Sequence, residues 1–148
     1  MGYILRENDG CQVFKTSLED PELLTLGSNP VILNPPLKPN YYFLPIGVYL
    51  SYLIITPFDY NNQDYLVIRN QGKTRSYVSF QTNLNTAGDQ EIYSQGSGFT
   101  GAFQYTRTPN DNFSTFTQFE ITTQLGNDAT VGSVEYFYVY IWGKYFKI

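Results

Sequence analysis

Hydrophobic and polar positions alternate with a period of two through much of this chain, and the segment from Ser133 to Ile148, S-V-E-Y-F-Y-V-Y-I-W-G-K-Y-F-K-I, shows the pattern most fully. Successive side chains of a strand point to opposite faces, so Phe137, Val139 and Ile141 share one face while Tyr136, Tyr138, Tyr140 and Trp142 share the other. The aliphatic face calls for a dry core. The Tyr and Trp row has large apolar bodies with polar tips that need hydrogen-bond partners, a combination suited to a surface between subunits. The pattern therefore predicts a central strand with a sandwich core on one side and a partner subunit on the other.

Upstream, strand and turn signals repeat from Tyr41 onward. Tyr41 to Leu44 leads through Pro45 into Gly47 to Thr56, a near-continuous apolar run read as a strand buried on both faces. Asp64 to Asn70 and Arg75 to Thr82 flank a hairpin connection at Gln71-Gly72-Lys73-Thr74, and further strands are expected at Glu91 to Ser94, Phe99 to Thr106 and Phe113 to Leu125. The sum is seven or eight strands without a significant helix, which predicts an antiparallel sandwich or barrel occupying residues 1–148 as one domain.

The first forty residues are less regular. A strand is expected at Cys11 to Ser17, a turn at Leu18 to Pro21, and either a strand or one helical turn at Glu22 to Leu26. Pro30 and the run N-P-P-L-K-P-N from Asn34 to Asn40 hold the backbone extended and deny it ladder donors. Residues 1–40 are read as a Pro-rich N-terminal arm or edge segment that lies along a partner, as preformed polyproline segments do, with a surface loop of the same domain as the alternative.

Composition narrows the chemistry. Aromatic residues make up 18% and charged residues 15% of the 148, with a net charge of -4, which lacks the clustered Lys and Arg of a nucleic-acid footprint. No run approaches the roughly 18 apolar residues that span a bilayer, so neither nucleic acid nor membrane is an expected partner. Histidine is absent, which removes the commonest general base and most zinc sites. The single cysteine, Cys11, precludes an intrachain disulfide and fits a small strand residue. The first ten residues show no extended apolar core or cleavage pattern, so no secretion leader is expected. A surface rich in Tyr, Asn and Thr suits exposure outside a cell. A virion component made in a host cytoplasm reconciles that surface with the absence of export and disulfide signals.

The stretch F-L-P-I-G-V-Y-L-S-Y, Phe43 to Tyr52, resembles the third conserved strand of the tumour necrosis factor and complement-type globular-head superfamily, with Gly47, Tyr49 and Tyr52 at its G-x-Y positions. Tyr136-Phe137, in an apolar C-terminal strand, resembles that family's last strand. The resemblance implies a jelly-roll β-sandwich of which three copies pack around an axis lined by aromatic residues. It places Tyr52 and Tyr136 toward that axis, and alternation then brings Ile54, Tyr138 and Tyr140 to the same surface. Viral and bacteriophage fibres, knobs and capsid decorations use similar jelly rolls.

Few residues suggest reaction chemistry. Glu91, Glu120 and Glu135 on predicted strands are the carboxylates available for acid–base pairs, though single solvated Glu residues explain them equally, and no enzyme activity or cofactor is expected. The loop D-Y-N-N-Q-D offers Asp59, Asn61 and Asp64 as calcium oxygens, but it lacks the glycine and terminal Glu of a calcium loop, and Asx-rich turns commonly bond their own backbone. Asn112-Phe113-Ser114 is a formal glycosylation sequon. Tyr60, Tyr93 and Tyr105, in or near loops, are candidates for a sugar-stacking platform, with rim or core aromatics as the alternative. The sequence thus points to a non-enzymatic virion structural protein that assembles with itself as a homotrimer and with other virion proteins. The alternative is a carbohydrate- or receptor-binding module.

Overall fold

The computed structural model describes residues 10–72, 76–80, 84–95 and 118–147, with the side chains of Tyr42, 76–79 and 89–95 left aside. Among the described residues eight strands run in chain order: β1 (Cys11–Ser17), β2 (Val31–Ile32), β3 (Tyr41–Thr56), β4 (Leu66–Asn70), β5 (Ser76–Ser79), β6 (Gly88–Gln95), β7 (Phe119–Thr123) and β8 (Ser133–Lys147). They form two four-stranded sheets, sheet A in the order β1-β8-β3-β6 and sheet B in the order β2-β7-β4-β5. All the ladders are antiparallel. The pairings nest: first strand with last, second with seventh, third with sixth, fourth with fifth. The protein is an all-β sandwich. The strand expected at Phe99 to Thr106 lies outside the described residues.

The centre of sheet A is the long ladder between β3 and β8. Tyr52 lies opposite Phe137, Leu50 opposite Val139 and Val48 opposite Ile141, and these six side chains are 0–1% exposed. Directly opposed residues share a face, so the aliphatic face expected for the last strand is the core face. Phe43 is also fully buried, although it stands five residues before Val48, an odd spacing that regular alternation sends to opposite faces. The ladder solves this with an extra residue: Pro45 pairs with Gly143 and Gly47 with Trp142, leaving Ile46 unpaired and 41% exposed. Such a bulge resets the parity, and it falls beside a proline that has no amide hydrogen to give a ladder.

Sheet B closes the core with Leu66, Ile68, Phe119 and Ile121, each at most 1% exposed. At one end the aromatic rings interlock, Phe43 meeting Tyr145 at 5.1 Å, Phe14 at 5.7 Å and Phe119 at 6.4 Å between centroids, all edge to face.

The reading of residues 1–40 as an arm needs correction over its described part. β1 is an edge strand of sheet A, and Leu18, Leu23, Leu26 and Leu33 belong to the core at 0–3% exposure. The helical alternative holds at Asp20–Leu24 (α1), where the Glu22 carboxylate accepts from the Glu19 amide at 2.9 Å in a capping box. Four leucines at irregular spacing among turn residues have no period to betray their burial. Within the run from Asn34 to Asn40, Pro35 is buried, while Pro36 to Asn40 are exposed as a surface segment would be, Leu37 at 54%, and the run ends in a turn in which the Tyr41 amide donates to the Lys38 carbonyl at 3.0 Å.

Truncating a leucine that fills this part of the core is expected to cost about 2–5 kcal/mol. Leu23→Ala and Leu26→Ala, followed by urea unfolding, should each lower the midpoint accordingly. An unchanged midpoint in both would show that the segment contributes nothing to the core.

Candidate functional site: the aromatic face of one sheet

The outer face of sheet A carries the row expected from the last strand. Tyr136, Tyr138, Tyr140 and Trp142 are half-buried, and they alternate with the buried Phe137, Val139 and Ile141. The rings brace one another: Tyr136 stacks on Tyr138 at 5.1 Å, and Tyr138 meets Tyr140 edge-on at 6.3 Å. The ladders add neighbours from both sides. On β3, Leu53, Ser51, Tyr49 and Gly47 stand opposite Tyr136, Tyr138, Tyr140 and Trp142 in turn. On β1, Lys15 stands opposite Tyr140 and Val13 opposite Trp142. The Lys15 ammonium lies 3.8 Å from the Tyr138 ring centroid, a cation–π contact.

An open groove of about 440 Å³ crosses this face, lined by Val13, Tyr49, Ser51, Tyr140 and Trp142. Gly47 shapes it. A Cβ there would lie 2.1 Å from the Trp142 indole, so the absence of a side chain is what lets the ring lie down across β3. Tyr49 packs against Tyr140 at 5.8 Å on the next strand. Alternation in the last strand revealed the β8 half of this surface, but the β3 half was missed because apolar residues occupy both faces of that strand. Ser51, the polar residue inside the run from Gly47 to Ile55, was the available signal for which parity points outward.

Two residues expected on this surface are elsewhere. Tyr52 is 0% and Ile54 2% exposed, and Tyr52 stacks on the core residue Phe137 at 5.2 Å with the planes 12° apart. Tyr52 and Tyr136 therefore face opposite sides of the sheet. The register pairs Tyr52 with Phe137, one residue from Tyr136, and a shift of one residue exchanges the faces.

The sugar-platform candidates do not converge either. Tyr60 is 6% exposed, stacks on Phe58 at 5.8 Å and donates its hydroxyl to the Leu23 carbonyl. Burial, and then the negative charges of Asp128, Asp64 and Asp59, push its pKa up. Tyr93 stands opposite Tyr49 in the ladder, with its side chain outside the description, and Tyr105 lies outside the described residues, as does the sequon at Asn112.

The calcium candidates are spent on other partners. The Asp64 carboxylate, fully buried, accepts from the amides of Tyr65 (3.0 Å), Leu125 (2.8 Å) and Asn127 (3.1 Å) and from the Asn127 side chain (3.1 Å). Asp59 accepts from the amides of Thr130 (2.7 Å) and Val131 (2.9 Å) and from the Thr130 hydroxyl. Asn61 is exposed, and its carbonyl accepts from the Asp64 amide at 3.2 Å. These residues stitch the β3–β4 loop to the β7–β8 loop. Among the described residues no three Asp, Glu, Cys or His side chains come together in a way that could hold a metal ion.

The carboxylates weighed for acid–base work are also apart. Glu120, on sheet B and 4% exposed, is paired with the Arg69 guanidinium at 2.7 Å, whereas Glu135 is exposed on sheet A. The side chain of Glu91 is outside the description. What the outer face of sheet A offers chemically is stacking area with hydroxyl tips, which serves binding. Comparison with known proteins finds no matching family model, curated protein or solved structure.

Gly47→Ala should force the indole of Trp142 off β3, costing about 1–3 kcal/mol as overpacked sites do. Because the chain has a single Trp, the displacement should appear directly as a shift in its fluorescence emission. An unchanged spectrum would contradict the seating of the ring.

The clamp at Asp59 generates a pH dependence. The Thr130 hydroxyl, followed by the Val131 amide, holds its pKa down at about 2. A carboxyl depressed by folding stabilises fully above its unfolded value and loses that contribution as pH falls through the folded one. Relative to Asp59→Asn, the wild-type unfolding midpoint should keep a constant advantage above the unfolded pKa of about 3.9 and lose it as acid is added below that value. An advantage independent of pH would refute the charge-assisted clamp.

Proposed function

We propose that the protein is a non-enzymatic structural component of a virus or phage particle that acts through protein–protein assembly, as a homotrimer and with other virion proteins. The observation that carries the reading is the row of Tyr136, Tyr138, Tyr140 and Trp142 on the outer face of sheet A, on a central strand whose opposite face already supplies the core. Large rings with polar tips are enriched where subunits meet, and a contiguous apolar patch of this kind is a liability if left in water.

The nested order of strand pairs supports a jelly roll, because winding a chain of such pairs over two sheets is how that fold arises. Jelly rolls build viral capsid and lectin domains, so the fold alone does not select between assembly and sugar binding. The resemblance to trimeric globular heads favours assembly, with Tyr136, Tyr138 and Tyr140 rather than Tyr52 toward the axis.

A second reading, a carbohydrate- or receptor-binding module, draws support from the groove in which Ser51 lies among Tyr49, Tyr140 and Trp142. Glycan-array binding by the isolated protein would favour it, whereas co-purification with particles in fixed stoichiometry would favour the first.

Each truncated tyrosine at the centre of such an interface costs on the order of 2 kcal/mol. Tyr138→Ala combined with Tyr140→Ala should therefore turn a trimer into monomers in light scattering coupled to size exclusion, with little change in the core. Val139→Ala, from the buried face, should instead lower folding stability by about 2 kcal/mol and leave assembly in place. A wild-type monomer at tens of micromolar would refute self-assembly through this face.

A further inference from the structure

The β7–β8 loop is built as a strap. Residues 127–131 take no part in a ladder, and a glycine with positive φ stands at each end, Gly126 at 79° and Gly132 at 155°. Glycine adopts such backbone without strain, so the strap can turn at both ends. Between them the only buried side chain is that of Ala129, at 7% exposure, while Thr130 and Val131 are exposed, Val131 at 51%. A segment that buries so little apolar surface opens at far less cost than a core strand.

Charge-assisted hydrogen bonds hold the strap down at three points. Asp64 accepts from the amides of Leu125 and Asn127, on either side of Gly126, and so pins the first turning point. Asp59 accepts from the Thr130 and Val131 amides at 2.7 and 2.9 Å and from the Thr130 hydroxyl. Asp128, on the strap itself, accepts from the amide and hydroxyl of Ser28 at 2.8 and 2.6 Å. Among the described residues none of the three meets a Lys or Arg. The other titratable groups on the packed elements are Tyr60 on the β3–β4 loop, Glu19, Asp20 and Glu22 at the start of α1, and Glu135 on β8, with no cation among them. Each bond draws its extra strength from a negative charge and weakens when that charge is neutralised.

A stacked aromatic pair lies beneath the strap. Phe58 and Tyr60, 2% and 6% exposed, stack at 5.8 Å. Gly132 lies against the Phe58 ring, where a Cβ would come 2.3 Å from it. Tyr60 donates its hydroxyl to the Leu23 carbonyl, and the Ala129 amide donates to the next carbonyl, that of Leu24, at 2.9 Å. Ala129 therefore sits beside the tip of Tyr60.

We propose that residues 128–131 form a flap that turns on Gly126 and Gly132, opens as a unit when acid removes the charges of Asp59 and Asp128, and uncovers Phe58 and Tyr60 while both sheets stay folded. The Thr130 hydroxyl and then the Val131 amide keep the Asp59 pKa down at about 2, and the Ser28 hydroxyl keeps that of Asp128 below its ordinary value. Carboxyls depressed in this way hold fully above the open-state value of about 3.9 and give way as pH falls from there. Neutral and mildly acidic solutions leave the flap shut.

Hydrogen exchange of the full chain reads the opening when it is expressed as protection factors, which cancel the intrinsic pH dependence. Between about pH 6 and about pH 2.5 the protection of the Ala129, Thr130 and Val131 amides should fall about tenfold, as linkage to Asp59 alone requires, while that of Phe137 to Ile141 in β8 stays within about twofold. Hydroxyl-radical oxidation of Phe58 and Tyr60 should rise in parallel, and that of Phe137 should not. Asp59→Asn combined with Asp128→Asn should lower the protection of the same three amides at about pH 6 and remove their response to acid. Should that variant fail to fold, the wild-type series still decides. Flap amides that lose protection only together with those of β8 overturn the proposal, because the loop then opens only by global unfolding. An acid response that is the same in the wild type and the double variant overturns it too, because the two charges then play no part. Amides that open with no rise in oxidation at Phe58 and Tyr60 overturn the uncovering of the aromatic pair.

Discussion

The ladder between β3 and β8 is the constraint on which the rest of this structure depends. It runs from Tyr41 opposite Lys147 to Thr56 opposite Ser133, and the shorter strands β1 and β6 attach to its outer edges. Its register decides which residues form the core. With Tyr52 opposite Phe137 the inner face is a continuous wall of aromatic and aliphatic side chains, and the tyrosine row is left outside. A slip of one residue would bury four polar tips and expose the aliphatic row. The bulge at Ile46 extends the same logic past Pro45, keeping Phe43 in the core where three other rings meet it.

Carboxylates close one end of the sandwich. Asp64 and Asp59 bind amides of the β7–β8 loop, and Asp128 on that loop accepts from the Ser28 hydroxyl at 2.6 Å and the Ser28 amide at 2.8 Å. The Ser28 contacts hold the Asp128 pKa below the ordinary carboxylate range. Asp20 accepts from the Val134 amide at 2.8 Å, tying α1 to the start of β8. Loops buried against one another leave backbone donors without water, and an ionised carboxylate satisfies several of them at once. The buried charge of Asp64 is tolerable because four donors surround it. Oxygen-rich loops that suggest a cation site in sequence here serve as hydrogen-bond hubs.

The two faces of β8 divide the work of the molecule. The inner face makes the domain. The outer face, braced by ring on ring and by Lys15 over Tyr138, has few rotamers left to lose, so a ligand or partner bound there would cost little side-chain ordering. The exposed proline run is also held in place, by the Tyr145 hydroxyl on the Pro36 carbonyl and by Lys38 over the Tyr41 ring.

Much of this was determined by the sequence alone. Period-two alternation is a local property, so the all-β class, the limits of β1 and the two faces of β8 could be read without any knowledge of the fold. Hairpin and turn residues likewise placed β4 and β5 within a few positions of where they lie. Tertiary structure decided what depends on distant residues. The outward parity of Tyr49 and the inward parity of Tyr52 come from pairing with a strand some ninety residues away. The burial of Leu18, Leu23, Leu26 and Leu33 comes from packing on sheets formed later in the chain, and the partners of Asp59 and Asp64 lie more than sixty residues on. Alternation says that a strand has two faces, but only the strands beside it say which face is dry.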